Sequence, residues 1–151
     1  MARMQGYLLE AEKTGGALQR DDSEQRETLA CFTLHCCDLG AQTYPEDQAW
    51  AWAQRVLAEF TAQSNEEAEL GLPETPYMQN LHDQGNQADL QIGFISYVVE
   101  PSWSILASVL PGLAFTLDNL AINKQFYVNM LDSVAEERMS ELSSSECDTA
   151  E

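Results

Sequence analysis

Basic residues are few in this chain: 7 Lys and Arg stand against 25 Asp and Glu, a net charge of −18 over 151 residues. A surface of that sign repels the phosphates of nucleic acid and the headgroups of an anionic membrane, so neither is an expected partner; cations gather there instead. Cysteine is scarce too. Of the four, Cys36 and Cys37 are adjacent and no Cys-x-x-Cys pair occurs. That pattern argues against a disulfide framework or a structural zinc knuckle, and for buried free thiols in a reducing compartment. Histidine is scarcer still, with only His35 and His82. No uninterrupted apolar run reaches membrane-spanning length, and no basic start followed by an apolar block opens the chain. A cytoplasmic protein without membrane insertion is therefore expected. β-strand signals are few, which leaves an all-α fold.

Apolar residues make up 44% of the chain, enough for a core. Residues 1–18 suggest a short helix through Tyr7, Leu8, Leu9 and Ala11. Asp22 or Ser23 can cap the next, which carries Leu29, Phe32, Thr33 and Cys36 on one face. Thr43 with Glu46 fits a capping box, Pro45 being tolerated in the first turn, and Trp52, Val56 and Phe60 then recur at every fourth residue. Ser64 with Glu67 repeats the box for a short helix that Gly71 stops. Residues 72–88 read as a polar loop holding Pro73, Pro76, His82 and Gly85; a loop of that length is more often functional than idle. Pro111 can open a last helix on which Leu113, Leu117, Leu120 and Tyr127 keep the period. From Asp132 the chain becomes acidic and serine-rich. Two regions are expected: 1–131 as a folded portion, and 132–151 as a disordered tail.

The stretch from Gln91 to Trp103 lies within a helix expected from about Ala88 to Leu110, kinked where Pro101 removes a backbone hydrogen bond. Phe94, Ile95, Val98, Val99 and Trp103 give it an apolar side. Gln91 heads that stripe. A primary amide beside apolar surface must find partners, and it can read the edge of a heterocycle by donating and accepting at once. Phe94, three positions on, shares its face and can stack on the same ring. On pattern alone, a core helix with a satisfied glutamine explains these residues equally well.

Gln91-Ile-Gly-Phe-Ile followed by Val99-Glu-Pro resembles the purine-binding helix of class I 3′,5′-cyclic nucleotide phosphodiesterases, with its nearest likeness to the calmodulin-dependent subfamily. Leu34-His-Cys-Cys-Asp38-Leu, Glu67-Ala-Glu-Leu-Gly-Leu-Pro73 and Asn123-Lys-Gln-Phe-Tyr127 fall in the family's order, so the likeness covers roughly residues 8–131. The resemblance implies the C-terminal portion of that family's multi-helix catalytic domain. It also implies hydrolysis of cAMP, cGMP or both to the 5′-monophosphate at a binuclear site of zinc with magnesium or manganese. Asp38 would be a metal ligand there and His35 a neighbour that orients others. Gln91 would select the purine, Phe94 and Val56 would clamp it, and Leu39, Trp52 and Tyr77 would line the pocket. Each of these has a plainer reading as a cap, a core residue or a loop side chain.

The family's upstream His-Asn-x-x-x-His and His-Asp pairs, and its histidine general acid, have no counterpart in the chain, and its Gln-Gly-Asp has become Gln63-Ser-Asn65. The expectation is a catalytic domain whose N-terminal half is missing, inactive alone and prone to oligomerise through exposed apolar helix faces. The alternative is a catalytically incomplete remnant acting as a helical interaction module.

Overall fold

The computed structural model describes residues 6, 19, 21–73 and 75–147, with side chains through 140. The helix expected around Tyr7 to Ala11 lies outside those residues. Among the described residues the fold is all-α: five helices joined by three 3-10 turns and one π-helical turn, and no strand. Helix α1 (Ser23–Asp38) leads through a 3-10 turn (Gly40–Thr43) into α2 (Glu46–Glu69). After a second such turn (Pro76–Met78) come α3 (Gln84–Phe94), a π-helical turn (Ile95–Val99) and α4 (Glu100–Val109). A third 3-10 turn (Pro111–Leu113) precedes α5 (Phe115–Cys147).

Local chemistry sets most of these limits. Asp22 caps α1, its Oδ1 accepting from the amides of Glu24 and Gln25 at 2.9 and 3.2 Å. Gly71 ends α2 in the left-handed region, φ 65°, where a side chain is strained. The Leu72 amide donates to Glu67 O and the Gly71 amide to Ala68 O, a Schellman motif that satisfies two carbonyls at the helix end.

Several expectations are corrected. No helix starts at Ser64: nothing in the preceding turn breaks α2, so Ser64 is buried within it. Glu67 is no capping residue either. Its carboxylate accepts from the Thr75 amide at 2.9 Å and from Gln63, fastening the following loop to the helix. Thr43 donates its hydroxyl to Gly40 O at 2.7 Å, and Pro45 takes the N-cap position of α2 without a side-chain bond. The polar loop is shorter than expected because Asp83 caps α3 at Gln84, and Met78 and Leu81 bury themselves against Leu57. Of the thiols among the described side chains, Cys36 is buried whereas Cys31 and Cys37 are exposed.

Pro101 does not break the long helix. The π turn just before it widens the spiral by one residue, the Glu100 amide reaching back to Ile95 O, so the ring enters the first turn of α4 where its missing N–H costs little. The Ser102 hydroxyl donates to Val98 O at 2.8 Å. The continuous span Gln84–Val109 is 26 residues long with a mean hydropathy of 1.3 over its apolar window. By length and composition alone that helix is apolar enough to cross a membrane, a test that the core helix of a protein outside any membrane also passes; Asp89 and Glu100 interrupt the apolar run without interrupting the helix. In the fold it is the central helix, with α3 packed along α5. Ile95, Val99 and Leu106 of this span are fully buried with Phe32, Cys36, Leu120 and Tyr127. Each such aliphatic burial contributes about 1.5–3 kcal/mol. Helix α5 continues past residue 131 to Cys147, so the change in composition at 132 falls inside a helix; residues 148–151 lie outside the described ones.

Candidate purine pocket

Four stretches far apart in sequence meet at one cavity of about 660 Å³. The end of α1 supplies Asp38 and Leu39, and the turn after it Gln42. Helix α2 presents Trp52, Val56 and Phe60 at successive turns. Tyr77 comes from the loop between α2 and α3, and Gln91 and Phe94 from α3. Seven of the eight residues singled out in the sequence therefore border a single space.

The exception is His35. It lies one turn before Asp38 and lines, with Cys31, Leu34 and Cys37, a separate shallow groove that Asp38 also borders. Asp38 thus stands on the rim between cavity and groove, exposed to solvent. His82 is exposed at a small polar hollow beside Asn65 and Asn80, away from the cavity.

The cavity walls are mainly apolar. Val56 on α2 and Phe94 on α3 are both half-buried, so each keeps surface facing the space. A Cβ at Gly93 would meet nothing within 4 Å, so α3 leaves open room beside Phe94. Tyr77 is fixed edge-on against Phe60, ring centroids 5.8 Å apart. Trp52, 46% exposed at the mouth, has the Arg55 guanidinium over its ring at 5.0 Å.

The polar end of the cavity is Gln91, only 5% exposed. Its Oε1 accepts from Gln42 Nε2 at 3.0 Å, and the same nitrogen lies 3.4 Å from the Tyr127 hydroxyl. Burial pushes the Tyr127 phenol up from its ordinary pKa, against the opposing pull of the Gln42 contact, so the ring stays neutral. Asn123 on α5 donates to Gln42 O at 2.7 Å and to Tyr44 O at 2.9 Å, and Asn119 donates to Thr43 O at 2.8 Å. Two asparagines one helical turn apart thus bolt the 40–44 turn to α5. Gln42 escaped the sequence reading. Its partner is 49 positions away, and nothing local distinguishes it from any glutamine in a turn. Asn123 was visible only as the end of a short motif, and Tyr127 as its other end and as one residue of the last helix's apolar period.

A metal site is not formed by these residues. Among the described residues no three His, Cys, Asp or Glu side chains converge to hold an ion, and Asp38 is a single carboxylate. Of the two thiols just before Asp38, Cys36 faces the core, and burial together with the charge of Cys37 pushes its pKa up to about 11.

Comparison with known proteins gives a consistent answer. The family model described as 3′5′-cyclic nucleotide phosphodiesterase matches residues 1–120. A mouse protein named 3′,5′-cyclic-AMP phosphodiesterase 4C is 32% identical over 113 residues, 74% of this chain and 16% of its own length. A Caenorhabditis elegans protein named probable 3′,5′-cyclic-AMP phosphodiesterase pde-4 is 31% identical over 125 residues, 80% of this chain and 18% of its own. The chain thus spans less than a fifth of these two relatives. Among solved structures, the phosphodiesterase domain of the RhoPDE fusion protein from the choanoflagellate Salpingoeca rosetta superposes with a TM-score of 0.76 at 28% identity, covering 90% of this chain and 44% of that one. LmjPDEB1, solved in complex with IBMX, shares the fold at a TM-score of 0.71 and 23% identity, over 87% of this chain and 39% of its own. The names of these relatives lend no support to the finer likeness to the calmodulin-dependent subfamily.

Proposed function

The chain belongs to the 3′5′-cyclic nucleotide phosphodiesterase family, and from that premise we propose that it is the purine-binding portion of a cytoplasmic enzyme that hydrolyses 3′,5′-cyclic nucleotides to 5′-monophosphates. The observation that carries this reading is the convergence of Asp38, Val56, Gln91 and Phe94 on one cavity of about 660 Å³. An amide at its buried end is suited to the polar edge of a purine, and apolar groups on two helices to its two faces. A half-exposed tryptophan and a tyrosine at the mouth suit the less buried ribose side.

Catalysis in this reading is shared. The described residues provide Asp38 at the rim, with Asp89 the other carboxylate lining the cavity, and do not fit a metal centre by themselves. The remaining ligands of a zinc and magnesium (or manganese) pair, and the acid that protonates the leaving oxygen, are proposed to come from polypeptide outside these 151 residues. Residues 1–131 then form the C-terminal part of the catalytic domain and 132–151 an acidic extension. A second reading, a helical interaction module that catalyses nothing, gains support from the replacement of the family's Gln-Gly-Asp by Gln63-Ser-Asn65, but it gives the cavity no purpose.

The test is hydrolysis of cAMP and cGMP with zinc and magnesium present. The 151-residue chain is expected to turn over neither substrate faster than its Asp38→Ala variant. Activity that vanishes with Asp38→Ala would show that a second copy completes the site, and would end the claim of incompleteness. In a longer form of the protein that hydrolyses cyclic nucleotides, Asp38→Ala is expected to lower turnover by orders of magnitude; near-normal turnover removes Asp38 from the site.

A further inference from the structure

Resting on the purine-pocket reading above, we infer a ligand class for the cavity as these residues build it: a heteroaromatic amine that carries a positive charge. Such a compound binds in preference to its neutral analogue, and the neutral analogue in preference to an anion such as a cyclic nucleotide.

The charges along the cavity wall are of one sign. Two carboxylates line it, Asp38 at the last position of α1 and Asp89 on α3, both exposed to solvent. Among the described residues none that lines the cavity is Lys, Arg or His. Helix dipoles point the same way. The cavity borders the C-terminal end of α1 at Asp38 and Leu39, where the last carbonyls carry about half a negative charge. The helix N-termini that would attract an anion, at Glu46 of α2 and Gln84 of α3, are not in its lining. Gln42, 2% exposed and part of the lining, adds a buried Oε1 acceptor with no donor among the described residues.

Four aromatic rings stand beside these acceptors: Trp52, Phe60, Tyr77 and Phe94. The face of such a ring is negative and attracts a cation. Trp52 already does so, with the Arg55 guanidinium 5.0 Å from its ring centroid. Arg55 lies outside the lining, and its one positive charge offsets one of the two carboxylates, not both. The field of the whole chain, at −18, has the same sign as the wall.

A cyclic nucleotide is therefore attracted through its base and repelled through its phosphate, whose charge has to be met by groups outside this lining. A protonated amine on the ribose side is met by the carboxylates and by the aromatic rings at the mouth. Each step of one unit charge is expected to change affinity by about threefold at low ionic strength, the scale of partly solvated charge pairs.

The experiment is titration calorimetry of the 151-residue chain with three adenine compounds that differ in charge: 5′-amino-5′-deoxyadenosine, adenosine and 3′,5′-cyclic AMP. EDTA is present, so that no metal ion covers the carboxylates. At neutral pH and low salt the amine is expected to bind about threefold tighter than adenosine, and adenosine about threefold tighter than cyclic AMP. Added salt should draw the two outer affinities toward that of adenosine, which itself stays put; a difference due to the bulk of the phosphate ring would not respond. Asp89→Asn, which keeps the shape and removes one charge, is expected to narrow the spread, and Arg55→Gln to widen it. Equal affinities, cyclic AMP the tightest of the three, or a spread that ignores salt and both variants overturns the inference while the pocket stands. Gln91→Ala is expected to weaken all three alike, which ties the binding to this cavity. Binding of none of them, or binding that Gln91→Ala leaves unchanged, overturns the pocket reading and this inference together.

Discussion

Asp83 serves two elements at once. One carboxylate oxygen caps α3, accepting from the Asn86 amide at 3.0 Å, and the other pairs with Arg138 far along α5 at 2.5 Å. The Asn86 bond, and after it the Arg138 contact, hold this carboxyl below the usual carboxylate range. A lowered folded-state pKa means that the stabilisation is complete above the unfolded value and is lost as pH falls through the folded one. Asp83→Asn keeps a side chain able to cap but removes the charge. The unmodified chain is therefore expected to have the higher Tm near neutrality, and the difference to shrink as the medium is acidified below about pH 4. Thermal melts across that range check it; two curves that run parallel would falsify the coupling. The effect is small because both side chains are solvated.

At the scale of elements, the turn Gly40–Thr43 determines more than its length suggests. It joins α1 to α2, faces α5, and delivers Gln42 to the cavity. Gly40 is required there for space: a Cβ would lie 2.9 Å from the Trp103 ring, which is itself packed in the core. Gly40→Ala is expected to destabilise by about 1–3 kcal/mol, the usual range for an extra methyl in a filled site. It should also shift Gln42 and so weaken purine binding, seen as a lower Tm together with a poorer Kd; an unchanged Tm would mean the indole moves aside freely. The same turn marks where sequence reading stops. Asp22, Gly71 and the Trp52–Val56–Phe60 row were legible because a cap, a left-handed glycine and a helical period each act within a few residues. Thr43 and Ser64 misled for the same reason, since each matches a capping box locally while its real partners are a turn carbonyl and an uninterrupted helix. The π turn before Pro101 and the Gln42–Gln91 bond depend on packing between distant segments, which no local pattern encodes.

For the molecule as a whole, two tendencies oppose each other. The helices leave large apolar side chains in solvent, Tyr97 at 84% and Leu34 at 72% among them, with Phe115 and Ile122 on α5 also exposed. Patches of this kind favour association. Against it stands a net charge of −18, which makes every copy repel every other near neutral pH. The repulsion is the weaker partner in salt, because at about 0.15 M the screening length falls to roughly 8 Å while apolar contact is unaffected. It disappears as pH approaches the isoelectric point near 4.1. The lowered carboxyls of Asp83 and Glu67 take up protons later than ordinary carboxyls do, so the fastenings they make outlast most of the charge as pH falls. The chain is accordingly expected to be smallest in low salt at neutral pH, to grow in hydrodynamic radius with added salt, and to associate strongly near pH 4. Light scattering over a grid of salt and pH measures this directly. A radius that grows with salt at neutral pH assigns the association to apolar faces held apart by charge. A radius insensitive to both variables would mean that these side chains are too scattered to act as a surface.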